Sequence, residues 1–193
     1  MLYLVRHAHT DWNGPRRRFQ GRADTNLSAT GRAEAQALCR VAPEVDIVVS
    51  SPATRCLETA RLLFPGHELE QDGRICEIDV GRFQGILESD VAGSMPDLYA
   101  AWRDAPHLCR IGGTGETLLE LSARVFAAIV DCRDRARKSG KRICIVTHGG
   151  PIRVLSCLLD RRPLADFHQV VVDNLAIFTI DLDFSRLDVP ARR

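Results

Sequence analysis

Two histidines lie two positions apart behind an apolar run, in the stretch VRHAHTDWN that begins at Val5. Histidines spaced in this way occur in two kinds of hydrolase, because they can hold a catalytic metal or one imidazole can attack the substrate. The metal interpretation is incomplete, since Trp12 stands where the binuclear motif H-x-H-x-D-H has its last ligand. The permanent cation of Arg6, beside His7, would also repel a bound dication. We therefore expect no metal, and we expect His9 to be an exposed residue at the rim of the site.

Arginine or histidine follows each of three short apolar runs in the chain. Arg6 and His7 come directly after Leu2–Val5, Arg55 comes shortly after DIVVS, and His148 comes shortly after RICIV. If the three runs are parallel strands, their carboxyl ends share one edge of a sheet, which is where open α/β folds bind ligands. A guanidinium matches the oxygens of phosphate or carboxylate, and an imidazole can donate to the anion or attack it. The pattern predicts an anion pocket assembled from three strand ends.

The runs themselves are short and rich in β-branched residues, which is typical of buried strands in a parallel sheet. We interpret Leu2–Val5, Asp46–Ser50 and Arg142–Val146 as three such strands and Ile177–Ile180 as a fourth. Helical segments lie between them. Alternation of this kind predicts an α/β fold in which helices cover both faces of the sheet.

Two of the predicted helices have clear start signals. Their N-caps are hydroxyl residues: Ser28 or Thr30 for the first helix, and Thr114 or Thr117 for a longer second one. The second helix should end near Ser139–Gly140, since glycine favours a helix C-terminus. Residues 77–113 break the alternation with several glycines and prolines, so we expect a lid or insertion there, with one short helix near 95–103.

Length and composition describe an ordinary globular protein. The chain has 193 residues, and we expect a single domain over residues 1–193. With 26 Lys and Arg against 25 Asp and Glu, the net charge of +1 argues against nucleic acid or a membrane surface as a partner. Seven cysteines without a C-x-x-C pair, and no leader or long apolar segment, indicate the reducing cytoplasm. The basic cluster Arg16–Arg18 is either a solvated loop or a site that recruits an anionic substrate.

Four stretches resemble the successive motifs of the histidine phosphatase superfamily, also called phosphoglycerate mutase-like: RHAHTDWN, FQGRADTNLSATGRAEAQAL, SSPATRCLETA and VTHGGPIRVL. They appear in the family's order from Leu2 to about Leu159. The resemblance implies a three-layer α/β/α sandwich with a mainly parallel sheet. It also implies action on a phosphate monoester through a phosphohistidine intermediate, with no cofactor.

The same resemblance implies roles for individual residues. His7 would be the nucleophile, and Glu77, in the stretch EIDVGRFQG, would be the general acid for the leaving group. The phosphoryl oxygens would be bound by Arg6, Arg55 and His148. Further substrate contacts are implied for Thr10, Asn13, Gln20, Gly21, Glu116 and Gly149.

The segment between Glu77 and Glu116 is shorter than the insertion of phosphoglycerate mutases in this family. A short lid suits an enzyme that admits water, so we expect a phosphatase acting on a small molecule, as a monomer or homodimer. The layout resembles α-ribazole 5'-phosphate phosphatases, although general phosphomonoesterases and sugar-phosphate phosphatases look alike at this level. Mutase-type phosphoryl transfer is one alternative. A noncatalytic phosphate-binding module is another, but no implied catalytic residue is missing.

Overall fold

The computed structural model of the protein describes residues 1–183 and the backbone of Leu187–Asp188, and its centre is one sheet. The strands are β1 (Leu2–Arg6), β2 (Ile47–Ser50), β3 (Leu69–Gln71), β4 (Ile143–Thr147), β5 (Ile177–Ile180) and β6 (Leu187–Asp188). Their order across the sheet is β3-β2-β4-β1-β5-β6. The first four in this order run parallel, whereas β5 is antiparallel to β1 and β6 is antiparallel to β5.

The four predicted strands are confirmed as strands, but the last of them does not run parallel to its neighbour. Leu175 N donates to Arg6 O at 3.0 Å, so the chain reaches β1 at its carboxyl end and must run back along it. Strand β3 was not predicted, because Leu69–Gln71 is only three residues long and mostly exposed. A strand this short at a sheet edge carries too few apolar side chains to produce a pattern.

Six α-helices within residues 1–183 connect or cover the strands. They are α1 (Ala29–Leu38), α2 (Thr54–Leu63), α3 (Glu88–Ser94), α4 (Pro96–Asp104), α5 (Leu118–Ser139) and α6 (Gly149–Leu159). Ser28 caps α1 by accepting from Gly31 N, and Thr117 forms a capping box at the start of α5. Gly140 ends α5 in the left-handed conformation, as predicted. Residues 77–113 contain two short helices instead of the one expected, because Pro96 begins a new helix directly after α3.

Both faces of the sheet are buried, which β4 demonstrates most clearly. Ile143 and Ile145 pack in a core formed with α5 and α6, while Cys144 and Val146 pack in a second core formed with α2. Alternate side chains of a strand point to opposite faces, so one strand serves both cores. The protein therefore has the predicted three-layer α/β/α fold with a mainly parallel sheet. No helix in the described part of the chain has the length and apolarity that a membrane span requires.

Candidate active site

The carboxyl ends of β1, β2 and β4 bring distant parts of the chain to one cavity. Arg6 pairs with Thr147 and Ser50 pairs with Val146, so the residues that follow these three strands begin at the same edge. The cavity has a volume of about 290 Å³. Of the predicted site residues, eight line it: Arg6, His7, Asn13, Gln20, Gly21, Arg55, Glu77 and Gly149.

His7 is held in a single orientation at this cavity. Its Nδ1 lies 2.8 Å from the carbonyl oxygen of Ala8, and its side chain is almost completely buried. A carbonyl oxygen can only accept, so Nδ1 carries the proton and Nε2 keeps its lone pair. The backbone is fixed as well, because Asn174 Nδ2 donates to His7 O at 2.8 Å. The imidazole therefore has one nitrogen available for attack.

Two arginines beside His7, the fully buried Arg55 and the half-buried Arg6, each have one buried donor atom without a partner. Arg55 Nη1 and Nη2 donate to the carbonyl oxygens of Ala23 and Gly21, at 2.8 and 2.9 Å. Arg6 Nη1 donates to Val172 O at 2.6 Å. The Nε atoms of both arginines are buried and have no hydrogen-bond partner among the described residues. A buried cationic N–H without a partner is costly, so the pair is arranged to receive an anion.

These charges also set the protonation states in the site. Burial lowers the pKa of His7 well below its ordinary value, and the nearby charges of Arg55 and Arg6 lower it further. The pKa of His148 is lowered in the same way, first by burial and then by Arg55. Burial lowers the pKa of Arg6 to about 10, which leaves it charged at neutral pH. The site therefore combines neutral imidazoles with cationic arginines.

His148 lies behind the cavity and does not line it. Its ring packs edge-on against the ring of His7, with 5.2 Å between centroids. Its Nε2 lies 2.8 Å from Ser51 Oγ and 3.4 Å from Cys56 Sγ, and the side chain is fully buried. The contact with His7 places its imidazole next to the predicted phosphate site.

The carboxyl group of Glu77 is hydrogen-bonded to the N-terminus of α6. Its Oε1 accepts from Gly150 N at 3.0 Å and from Ile78 N at 2.9 Å, while Oε2 lies farther from Gly150 N, at 3.4 Å. A Cβ on Gly150 would lie 2.2 Å from Oε1, so any added side chain would displace the carboxyl group from this position. Helix N-termini favour negative groups. The carboxyl group is therefore held through one oxygen, and the other is available to a substrate.

Asn13 and Gln20 present their amide groups to the cavity. Asn13 Oδ1 accepts from the backbone N and the hydroxyl of Thr10, at 3.2 and 3.1 Å, which leaves its Nδ2 to donate. Gln20 Oε1 accepts from Thr25 Oγ1 at 3.1 Å. Both side chains are therefore oriented with an N–H group available for an anion.

Two of the predicted substrate contacts, Thr10 and Glu116, do not line the cavity. Thr10 is fully buried and holds Asn13. Glu116 forms an ion pair with Arg124 at 2.6 Å and accepts from Asp79 N at 3.2 Å. Their positions indicate support of the cavity wall, because neither side chain is exposed to a ligand there.

The expectation that His9 is an exposed residue at the rim is wrong. His9 is half-buried, does not line the cavity, and its Nδ1 lies 2.9 Å from Ser28 Oγ. The start of α1 covers it so closely that a Cβ on Gly31 would lie 2.2 Å from His9 O. Within the described residues, no three His, Cys, Asp or Glu side chains lie together in a way that could hold a metal ion.

Several cavity residues were not predicted. They include Arg17, Arg18, Glu88, Trp102, Arg103, Arg153, Phe167 and His168. Arg17 and Arg18 belong to the basic cluster noted in the sequence, whose recruiting interpretation agrees with their position. Arg153 follows Gly149 by four residues, so helical spacing could have placed it on the same face. The others lie in segments without a recognisable motif.

A sheet of this topology, with two guanidinium groups whose buried Nε atoms lack partners and a neutral histidine at its carboxyl edge, defines an α/β protein with a site suited to an anion. The family is also shown directly. The chain belongs to the histidine phosphatase superfamily (branch 1), whose family model matches residues 2–190. It is therefore an enzyme of phosphatase or mutase type, and its substrate is a phosphate monoester, as the family implies.

Similar proteins differ in the reaction that their names state. Phosphoserine phosphatase 1 of Hydrogenobacter thermophilus is 32% identical over 189 residues, covering 96% of this chain and 88% of that protein. The "Probable phosphoglycerate mutase GpmB" of Enterobacter sp. (strain 638) is 30% identical over 217 residues, covering 98% and 96%. A crystal structure of a candidate α-ribazole-5'-P phosphatase from Escherichia coli superposes with a TM-score of 0.81 at 25% identity, covering 97% of this chain and 94% of that chain.

Proposed function

We propose that this chain is a phosphatase that hydrolyses a small-molecule phosphate monoester through a phosphohistidine intermediate on His7. One observation carries the proposal. The unpaired Nε donors of Arg6 and Arg55 are buried beside an imidazole whose Nδ1 is bonded to Ala8 O. That set binds phosphate oxygens and leaves Nε2 of His7 as the attacking atom.

In the first step, Nε2 of His7 forms a bond to phosphorus while the bond from phosphorus to the ester oxygen breaks. Arg6 and Arg55 hold the equatorial oxygens, whose negative charge is present throughout the transfer. Glu77 gives a proton to the departing ester oxygen, which would otherwise leave as an unstable alkoxide. The products are the free alcohol and a phosphohistidine.

In the second step, water attacks the phosphorus and the nitrogen–phosphorus bond breaks. Glu77, now a carboxylate, takes the proton from the water, so the same group acts first as acid and then as base. Inorganic phosphate leaves and His7 is neutral again. The cations need no rearrangement between the steps, because both transition states carry charge on the same oxygens.

Residues 77–113 act as the lid of this site in our proposal. Ile78, Val80, Glu88, Trp102 and Arg103 come from this segment and line the cavity. The similarity to a phosphoserine phosphatase, and a lid shorter than that of phosphoglycerate mutases, favour hydrolysis. The similarity to the protein named as a mutase favours the second candidate, transfer between positions of phosphoglycerate. α-Ribazole 5'-phosphate is one candidate substrate, supported by the structural neighbour.

Hydrolysis of p-nitrophenyl phosphate tests the proposal, with the wild type compared with His7→Ala. We expect loss of turnover in the variant, and acid-labile, base-stable phosphate on the wild-type protein after rapid quenching. His67→Ala is the matched control, because His67 lies outside the cavity and bonds Val45 O. Wild-type rates in His7→Ala would overturn the mechanism. Transfer to a second hydroxyl of phosphoglycerate, without phosphate release, would favour the mutase.

A further inference from the structure

The cavity carries more positive charge than one phosphate requires. Among the described residues its lining contains two carboxylates, Glu77 and Glu88. The arginines that line it are Arg6, Arg17, Arg18, Arg55, Arg103 and Arg153. A phosphate dianion and the two carboxylates together offset only four of these six positive charges. The remaining positive charges repel one another within one cavity, and Arg153 among them is half-buried.

Resting on the proposed function, we infer that the natural substrate carries a second anionic group, a carboxylate or another phosphate, which binds to Arg153 and Arg17. The inference concerns substrate class and goes beyond the phosphoryl site itself. It separates phosphorylated acids and bisphosphates from esters whose remainder is neutral, such as nucleoside or simple sugar monophosphates.

Arg153 is built into the wall as a fixed cation. It lies four residues, just over one helical turn, after Gly149 on α6, about 6 Å farther along the helix axis, a span that a short carbon chain can cover. Its Nε donates to Val170 O at 3.0 Å, and its Cζ lies 5.5 Å from the centroid of the Phe167 ring. These contacts occupy Nε and one face, so the terminal Nη groups are available to an anion.

The charges around Arg153 support the same conclusion. Burial lowers its pKa, and the charge of Arg17 lowers it further, whereas the charge of Glu77 opposes this. Two guanidinium groups that repel each other across a cavity are stabilised when an anion lies between them.

The other arginines of the outer cavity already have partners. Arg103 lies 3.6 Å from the carboxylate of Glu88, and Arg18 donates to Gly85 O at 2.8 Å. Within residues 1–183, neither Arg17 nor Arg153 forms an ion pair with a carboxylate, although the charge of Glu77 acts on Arg153. A neutral substrate would leave the half-buried Arg153 and the exposed Arg17 without an anionic partner, and an acidic one would pair them.

Two pairs of substrates test the inference. O-Phosphoserine differs from O-phosphoethanolamine by one carboxylate, and glucose 1,6-bisphosphate differs from glucose 6-phosphate by one phosphate. We expect wild-type kcat/KM to favour one of the anionic members by about 10- to 100-fold, the effect of a charge-assisted hydrogen bond. The pair that shows the preference identifies which second anion is recognised.

The preference should disappear when the cations are removed. In Arg153→Gln and Arg17→Gln the ratio within the favoured pair should fall about 10-fold or more, mainly through KM, and Arg153→Lys should restore part of it. Arg17→Gln guards against misfolding, because the side chain of Arg17 is exposed. Arg135→Gln is the charge-matched control, since Arg135 pairs with Glu70 outside the cavity and should keep the wild-type ratio.

Binding to His7→Ala, measured by calorimetry with the same four compounds, separates this inference from the proposed hydrolysis. If the wild type hydrolyses p-nitrophenyl phosphate but shows no preference for the anionic member of either pair, the second anion site is wrong and the proposed phosphatase activity is retained. The opposite result is a wild-type protein that hydrolyses none of the esters but binds the anionic member of a pair more tightly, with that preference abolished by Arg153→Gln. It would support the second anion site and overturn the proposed phosphatase activity.

Discussion

Glu77 Oε1 lies 3.0 Å from the backbone N of Gly150, so the proposed acid is fixed to the N-terminus of the helix that follows His148. The contact depends on the absence of a side chain, since a Cβ on Gly150 would lie 2.2 Å from Oε1. The position of the carboxyl group is thus decided by a residue 73 positions away in sequence.

Replacing that glycine should damage catalysis through Glu77. We expect Gly150→Ala to lower kcat for alkyl phosphates by about 100-fold, the usual contribution of a general acid, because the methyl group displaces the carboxyl. Steady-state kinetics on glycerol phosphate measure this, and circular dichroism checks that the variant is folded. Gly93→Ala is the control, because nothing lies within 4 Å of a Cβ there and Gly93 does not line the cavity. Equal losses in both variants would contradict the specific role of Gly150.

The role of Glu77 as acid predicts a dependence on the leaving group. Glu77→Gln should lower kcat/KM for alkyl phosphates by about 100-fold or more and for p-nitrophenyl phosphate much less, because nitrophenolate leaves without a proton. Steady-state kinetics of the wild type and Glu77→Gln on one alkyl phosphate and on p-nitrophenyl phosphate measure this difference. Equal loss on both substrates would show that Glu77 does not protonate the leaving group.

The buried histidines predict how stability depends on pH. Burial lowers the pKa of His7, His148 and His168 in the folded protein, so the unfolded chain binds more protons below the ordinary pKa near 6.5. The free energy of unfolding should be fully present above that pH. It should fall as the pH drops, by about 1.4 kcal/mol per pH unit for each histidine that stays neutral.

Urea denaturation at pH 7, 6 and 5 measures this slope. The His7→Ala variant should show a slope smaller by about 1.4 kcal/mol per pH unit, because one of the buried imidazoles is gone. A variant with the wild-type slope would mean that His7 is protonated alike in the folded and unfolded states.

Alanine substitution at two helical glycines should have opposite effects on stability, because Gly31 in α1 packs closely against the segment after β1 and Gly93 in α3 has open space around it. Gly31→Ala should destabilise the protein by about 1–3 kcal/mol, because its Cβ would lie 2.2 Å from His9 O. Gly93→Ala, in α3, should stabilise it by about 0.5–1 kcal/mol, because nothing lies within 4 Å of the added methyl group. Thermal unfolding of both variants tests the pair. Equal shifts would show that helix propensity alone decides both.

The sequence predicted well those features that depend on neighbouring residues. The strands that end before His7 and His148 were visible as short β-branched runs, and Ser28 and Thr117 were among the N-caps expected from their hydroxyl groups. The family, and hence the fold, followed from motifs whose order and spacing are local properties of the chain. Each of these signals is contained in a window of about twenty residues.

Such signals could not predict the direction of β5, the covering of His9 or the presence of Arg17 and Arg153 in one cavity. An antiparallel strand has the same residue pattern as a parallel one, and only the hydrogen bond from Leu175 N to Arg6 O shows where the chain enters the sheet. The sequence places His9 in a loop, and only the structure shows that Ser28, the N-cap of α1, lies against its imidazole.

By itself, the sequence determined the family, the α/β/α fold and the residue types available for phosphoryl chemistry, because these follow from local patterns. The tertiary structure alone decided which of those residues share the cavity. It placed Arg153 about one turn after Gly149 in the cavity wall, left Nε of Arg6 and Arg55 unpaired, and kept Thr10 and Glu116 out of the cavity lining. The physical reason is that burial and charge compensation depend on distances between segments far apart in the chain, and no local pattern records those distances.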